Sequence, residues 1–93
     1  MIEIDEIMKI FDLFKRNINK FSKDTSAICL GLLFKAREIT NLEMKQSVIA
    51  HLKILINDTD EWTKKQSKKR LVGLALNAVN KAEIEKDGFK IPE

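Results

Sequence analysis

The chain has 93 residues, of which 33% are charged, and its basic residues exceed its acidic residues by a formal net charge of +3. A domain of this size buries only about 60–65% of the surface of its unfolded chain, so we expect a single domain over residues 1–93 with one modest core. Both signs of charge are interspersed, and the weak positive balance excludes a basic nucleic-acid-binding tail.

The sequence also limits the compartment in which the protein works. A single cysteine, Cys29, cannot form an internal disulfide, and Glu3, Asp5 and Glu6 lie where a signal peptide would be basic. The longest apolar run, Ala27–Phe34, is far shorter than the roughly 20 residues that a membrane span requires. We therefore expect a cytoplasmic protein without a membrane span. Frequent Ile, Lys and Asn suggest an AT-rich bacterial or phage genome.

The first quarter of the chain predicts one long helix, from about Ile4 to Phe21. Its apolar residues recur at alternating spacings of three and four, which places them along one seam. Ile10 and Leu13 widen the apolar arc to more than half of the helix circumference, which is more than one neighbouring helix covers. We expect this surplus to support a homodimer. The seam residues are Ile4, Ile7, Phe11, Phe14, Ile18 and Phe21.

A second helix is predicted to run to about Ile39, with Asp24 or Thr25 as its N-cap. Its first turns are apolar on every side, which is typical of a central helix packed by neighbours all round. Gly31 either permits another helix to approach closely, or it lowers the stability of its own helix by about 1 kcal/mol without any gain in packing. Cys29 has no adjacent base and is expected to be a buried, inert thiol.

The third helix is predicted to begin at the capping box Thr40-Asn41-Leu42-Glu43. Ile49 lies at one edge of its buried stripe and Ile54 on the opposite face, so Ile54 joins Ile10 and Leu13 as a candidate self-association residue. His51 has no carboxylate among its helical neighbours, and we interpret it as a boundary histidine without a catalytic role. The predicted stripe consists of Met44, Val48, Leu52, Leu55 and Ile56.

The last segment combines an apolar face with a basic run. Asn57 to Asp60 should end the third helix, Asp58 with Glu61 should cap the next, and Asp87-Gly88 should stop it with Phe89 folded back. If this face is continued towards the N-terminus of the helix, lysine residues fall on it. Burying an unpaired lysine ammonium group there would destabilise the folded protein by several kcal/mol. The helix should therefore overhang the bundle at the basic run or begin nearer Arg70. The apolar face consists of Leu71, Leu74, Ala75, Ala78, Val79 and Ala82, and the lysines placed on it are Lys64 and Lys68.

The basic run and its neighbouring tryptophan form the candidate partner-binding site. The alternative is a solvated helix face, because Asp60 with Lys64 and Glu61 with Lys65 make favourable pairs at i,i+4. Against that alternative, lysines repel one another at the same spacing and lie near a helix N-terminus, where the helix dipole disfavours cations. This placement indicates an acidic partner. The candidate residues are Trp62, Lys64, Lys65, Lys68, Lys69 and Arg70.

Two short stretches resemble known families. Val48 to Leu55 resembles the end of the recognition helix in arsenic-responsive winged-helix repressors, with Ala36 to Ile39 as the preceding helix and Lys68 to Leu76 in place of a wing strand. That resemblance implies DNA binding. Gln66-Ser67-Lys68-Lys69 is similar to a stretch before the last helix of small basic bacteriocin immunity proteins, which implies a cytoplasmic four-helix bundle.

Together these patterns predict an all-α protein, a compact bundle of about four helices with short loops, with a winged helix-turn-helix as the alternative. The sequence has no cofactor loop, no metal-ligand cluster and no nucleophile beside a base, so we expect neither an enzyme nor a cofactor or metal. The expected function is that of a small regulatory protein, an inhibitor or immunity-type factor that occludes an acidic protein surface. The alternative is a DNA-binding transcriptional regulator, with nucleic acid as the less favoured partner.

Overall fold

The computed structural model describes residues 4–16 and 18–91. Glu3 and the side chain of Ile4 lie outside the described part of the chain. No β-strand occurs in the described ranges, so the all-α prediction is confirmed, with five helices where the sequence predicts about four. The helices are α1 (Ile4–Arg16), α2 (Lys20–Leu33), α3 (Leu42–Leu55), α4 (Glu61–Leu74) and α5 (Ala78–Glu85).

The boundary between α1 and α2 differs from the prediction. Helix α1 ends at Arg16, and Asn19 caps α2 by accepting a hydrogen bond from the Ser22 N–H at 2.8 Å. The predicted caps Asp24 and Thr25 therefore lie inside α2. Because the chain turns at Asn19, Ile18 and Phe21 leave the predicted seam and are 64% and 78% exposed. The apolar residues keep their helical spacing through this turn, so the sequence pattern alone does not reveal the turn.

The end of α2 also comes earlier than predicted, at Leu33 rather than Ile39. Ala36 has φ of +59°, a left-handed conformation that ends a helix because its backbone cannot continue the α-helical hydrogen bonds. Ile39 is buried in the core. Ala36 to Ile39 is thus a connection, so the helix that the winged-helix resemblance places there is absent.

Helix α2 packs against α1, α3 and α4, which makes it the central helix that its apolar turns predict. Gly31 lies where α2 and α4 cross. A Cβ atom at Gly31 would lie 2.8 Å from the Cβ of Arg70, closer than real Cβ atoms approach another heavy atom. Of the two interpretations of this glycine, the structure supports the close helix approach.

Helix α3 carries the largest part of the core. Asn41, not Thr40, is its N-cap, and the Asn41 side chain accepts a hydrogen bond from the Met44 N–H at 2.9 Å. Every residue of the predicted stripe is buried, together with Ile49, and Ile54 points to solvent. The core that gathers around this stripe includes Phe11, Phe14, Ala27, Leu30, Leu71, Leu74 and Ile84.

The predicted last helix is two helices, α4 and α5, separated at residues 75–77. Asp60 caps α4 and Asn77 caps α5, whereas Asp58 accepts the N–H of Asp60 at 2.8 Å. Helix α4 begins at Glu61 and packs on α2 and α3, so it neither overhangs the bundle nor begins nearer Arg70. Both predicted alternatives were wrong, because they treat α4 and α5 as one helix and extend its apolar face across the break between them.

The buried face of α4 contains small polar residues where the prediction required apolar ones. Thr63 and Ser67 are buried one turn apart, followed by Leu71, and the Ser67 hydroxyl donates to the Thr63 carbonyl at 2.7 Å. That hydrogen bond satisfies a hydroxyl that would otherwise be costly to bury. Lys64 is exposed and Lys68 half-buried, so neither ammonium group lies in the core.

Helix α5 turns a different face inward from the one predicted. Ala78, Val79 and Ala82 are exposed, whereas Asn80 and Ile84 are buried. Gly88 follows α5 with φ of +78°, and Phe89 packs against the core, with the Lys53 ammonium 5.0 Å from the centre of its ring.

Asn80 joins α5 to the connection between α2 and α3. Its side-chain oxygen accepts the Ile39 N–H at 3.1 Å, and its side-chain nitrogen donates to the Arg37 carbonyl at 2.6 Å. One amide side chain thus satisfies two backbone groups of a segment without secondary structure, as those groups require when they are buried.

The Cα radius of gyration is 12.2 Å, close to the value of about 12 Å typical of a compact chain of this length. Among the helices of the described ranges, none has both the length and the apolar character needed to cross a bilayer.

Substituting Gly31→Ala should lower the free energy of unfolding by about 1–2 kcal/mol, because overpacking the α2–α4 crossing outweighs the better helix propensity of alanine. Gly73→Ala is the matched control: its Cβ would meet only the flexible Lys35 side chain, at 3.2 Å. Urea denaturation should show Gly73→Ala within about 0.5 kcal/mol of the wild type or more stable. Equal effects of the two substitutions would contradict a close approach at Gly31.

Substituting Asn80→Leu should destabilise the protein by about 2 kcal/mol or more, because the Ile39 N–H and the Arg37 carbonyl lose their partner. The exposed Asn57 provides the control, since Asn57→Leu removes a side-chain amide that makes no hydrogen bond among those of the described residues. Thermal unfolding followed by circular dichroism measures both variants. An Asn80→Leu melting temperature equal to that of the wild type would refute the proposed role of this side chain.

Candidate functional site

A groove lies between the last turn of α2 and the outer face of α4. Helix α4 turns its small polar and leucine residues inward, so its remaining face, which carries most of the basic run, is directed outward beside α2. The groove encloses about 610 Å³, within the range of about 300–1,000 Å³ that is usual for ligand pockets. Its lining consists of Leu32, Lys35, Lys65, Lys68, Lys69, Arg70, Val72, Gly73 and Leu76.

The groove is strongly cationic. Five of its lining residues are Lys or Arg and none is acidic. Within the described residues, no carboxylate lies within ion-pair distance of any of the five. Like charges gathered around a concave surface reinforce one another, so the groove attracts anionic groups.

The groove also contains exposed aliphatic surface. Leu32 of α2 is 53% exposed, Val72 of α4 is 49% exposed, and Leu76, just after α4, is 64% exposed. A contiguous apolar patch bordered by charged residues is a common mark of an interaction site. Cationic and aliphatic side chains therefore lie side by side in this groove.

The two walls of the groove are held together by backbone contacts. The Ala36 N–H donates to the Gly73 carbonyl at 2.9 Å, and the missing side chain of Gly31 lets Arg70 of α4 lie against α2. Lys35 immediately precedes Ala36, so its Cα position relative to α4 is set by this hydrogen bond. The backbone segments that carry the cations of the two walls thus keep a defined spacing.

The structure separates the predicted partner-binding residues. Lys65, Lys68, Lys69 and Arg70 line the groove. Lys64 lies outside the groove lining, with its ammonium 3.8 Å from a Glu61 carboxylate oxygen. Trp62 is 58% exposed and lines a different cleft, shared with Lys20, Phe21, Asp24, Thr25, Asp60 and Thr63.

The three predicted self-association residues have different surroundings. Ile10 is partly buried and packs against the core, so little of its side chain is free for a partner. Leu13 is exposed on the outer face of α1. Ile54 is exposed and lines a shallow depression together with Phe14 and Lys15 of α1.

Apart from the groove, the structure contains a polar cluster that the sequence patterns do not predict. The Nε2 atom of His51 lies 2.8 Å from an oxygen of Asp24, a buried carboxylate of α2, and the ring meets Phe14 edge-on. His51 is therefore oriented by a carboxylate after all, from another helix rather than from its own. Asp24 and His51 are 27 residues apart in the sequence, so helical periodicity does not indicate that they are in contact.

Lys20 completes this cluster by bridging two carboxylates. Its ammonium donates to the other oxygen of Asp24 and to Asp58 at 2.6 Å. The hydrogen bonds to Asp24 and Asp58 raise the pKa of Lys20 above its usual value. The Lys20 ammonium first, and then the Asp60 N–H, lower the pKa of Asp58 below its usual range. The Thr63 hydroxyl and N–H lower the pKa of Asp60.

The hydrogen bonds of this cluster join α2 to α3 and to the connection before α4. Ser47 lines the same depression as His51, but no hydrogen bond among the described residues joins its hydroxyl to the imidazole. A nucleophilic serine requires such a contact with its base. No group of three or more His, Cys, Asp or Glu within the described ranges is arranged to hold a metal ion.

The Lys20–Asp58 pair predicts a pH dependence of stability. Because folding lowers the pKa of Asp58, its contribution is present above the unfolded value of about 3.9 and is lost as the pH falls through the lower folded value. Asp58→Asn should therefore melt below the wild type at about pH 7, and the difference should shrink towards about pH 2. Melting temperatures measured across this range provide the test, with Glu85→Gln as an exposed control. A difference that is constant with pH would show that Asp58 does not act through its charge.

Comparisons of the chain with protein-family models, with curated proteins and with solved structures found no match in any of the three.

Proposed function

We propose that the protein is a small non-enzymatic binding protein that uses the α2–α4 groove to cover an acidic surface of a partner protein. The observation that carries this proposal is the gathering of five cations around exposed aliphatic side chains, with no carboxylate in the groove lining. In this arrangement the partner supplies the missing negative charge. An inhibitor or immunity-type factor that acts by occlusion is one role that such a binding protein fills.

The energetics favour a partner over an empty groove. Lys65 and Lys69 are separated by one helical turn, where like charges destabilise a helix by a few tenths of a kcal/mol. Carboxylates of a partner would relieve this repulsion, and the positive field would speed association with an acidic surface. The aliphatic side chains would lose their contact with water in the same event.

A specific complex would extend beyond the groove. A typical interface covers about 800 Å² on each partner. The described chain exposes 5932 Å², so such an interface would occupy about 13% of its surface. The groove with its neighbouring residues on α2 and α4 is the natural centre of such a contact, since both of its walls are helices held by the core.

Reversing three groove lysines, with Lys65→Glu, Lys68→Glu and Lys69→Glu, should abolish partner binding while leaving the melting temperature almost unchanged. A matched variant with Lys9→Glu, Lys81→Glu and Lys90→Glu changes the net charge equally but alters exposed lysines outside the groove. The measurement is capture of a partner from a nuclease-treated lysate of the source organism by each purified protein. We expect the wild type and the matched variant to capture the same protein and the groove variant to lose it.

Equal loss of the partner in both variants would show that net charge, not the groove, controls binding. Binding of DNA is the other outcome to examine. A nucleic-acid partner would give a log-log salt dependence with a slope of about −0.9 per phosphate contacted, reduced in the groove variant. Such a slope, with no protein captured after nuclease treatment, would replace the proposed function with DNA binding.

A further inference from the structure

The groove combines two kinds of surface in a fixed order. Val72 of α4, Leu76 in the turn after α4 and Leu32 in the last turn of α2 line the groove together. The lining also includes Lys35, from the segment after α2, and Lys69 of α4. We call Leu32, Val72 and Leu76 the floor of the groove. The floor is apolar and the residues around it are cationic.

We propose that the occupant of this groove is an acidic amphipathic helix of the partner, an inference that rests on the proposed function. The apolar stripe of that helix lies on the floor, and carboxylates on its flanks lie opposite the lysines of both walls. Helix-in-groove recognition uses apolar anchors at helical spacing, and the floor provides aliphatic contacts of matching chemistry.

The dimensions of the groove agree with this occupant. The lining residues that belong to α4, from Lys65 to Gly73, span about 12 Å along the helix, which equals about two turns of a second helix. Two turns of an amphipathic helix present about three or four apolar side chains on one face, in keeping with a floor of three aliphatic residues. One wall is α4 and the other is the end of α2 with the residues that follow it, so a partner helix would pack mainly along α4.

Charge complementarity together with the aliphatic floor favours this occupant over nucleic acid. Phosphates of a DNA duplex would satisfy the cations but would place charge against Leu32, Val72 and Leu76, whose apolar area would then gain nothing. An acidic amphipathic helix satisfies both surfaces at once.

A pair of synthetic peptides tests the inference directly. The first has about 18 residues of Leu, Ala and Glu, with its leucines in one helical stripe and its glutamates on the flanks. The second has the same composition with the leucines distributed around the helix. Fluorescence anisotropy of labelled peptides measures both affinities at physiological salt. We expect the amphipathic peptide to bind at least about tenfold more tightly than the permuted peptide.

Floor variants then separate apolar contact from charge. Val72→Thr combined with Leu76→Ser should reduce the affinity for the amphipathic peptide about tenfold and leave that for the permuted peptide unchanged. The control is Val79→Thr combined with Leu42→Ser, two exposed aliphatic residues outside the groove. Melting temperatures of both variants check that the fold is intact, as expected for exposed positions.

The outcomes distinguish failure of this inference from failure of the proposed function. If the two peptides bind equally, or neither binds, the amphipathic-helix inference is overturned. Equal binding that disappears in the Lys65, Lys68 and Lys69 variant would leave the proposed acidic partner standing. Binding of a DNA duplex or of anionic vesicles, with no binding of either peptide, would overturn both. An unchanged affinity of the floor variant for the amphipathic peptide would also overturn the inference.

Discussion

The arrangement of this protein depends on how closely α2 and α4 approach each other at Gly31. With a hydrogen atom in place of a side chain, α2 comes near enough for Arg70 to lie against it. That approach leaves α2 in contact with α1, α3 and α4. It also aligns Leu32 and Lys35 of the α2 end with the outer face of α4, so the groove is a direct product of the same crossing. A structural glycine thus determines the geometry of the candidate binding surface without touching any ligand.

Near the opposite end of α2, a buried carboxylate is held by hydrogen bonds from other side chains. Asp24 is shielded from water, and an isolated carboxylate in that position would cost several kcal/mol. Its two oxygens are satisfied by His51 and Lys20, and Lys20 extends to Asp58 in the connection before α4. The cluster therefore joins three parts of the chain that are distant in sequence. At this end of α2, carboxylates and a lysine lie together, whereas the five cations near the other end have no carboxylate among the residues that line the groove.

Much of the helical content was predictable, because the stripe on α3 and the exposed position of Ile54 follow from periodicity alone. The turns were harder to predict. Asn19 interrupts a pattern that remains apolar on both sides, and the buried face of α4 begins with Thr63 and Ser67, which carry no hydrophobic signal. Four of the candidate groove residues were identified from the basic run. Leu32 and Lys35 were not, because they come from another helix and become neighbours only through tertiary packing, as do Asp24 and His51.

Asn80 gives the connection between α2 and α3 a property that its lack of secondary structure conceals. The Ile39 N–H donates to the side chain of Asn80, which is fully buried, so we expect this amide to exchange slowly with solvent deuterium although it lies outside every helix. Exchange requires this hydrogen bond to open, through movement of α5 or of the connection. The stability of the segment between α2 and α3 is therefore coupled to that of α5, although about 40 residues of chain separate them.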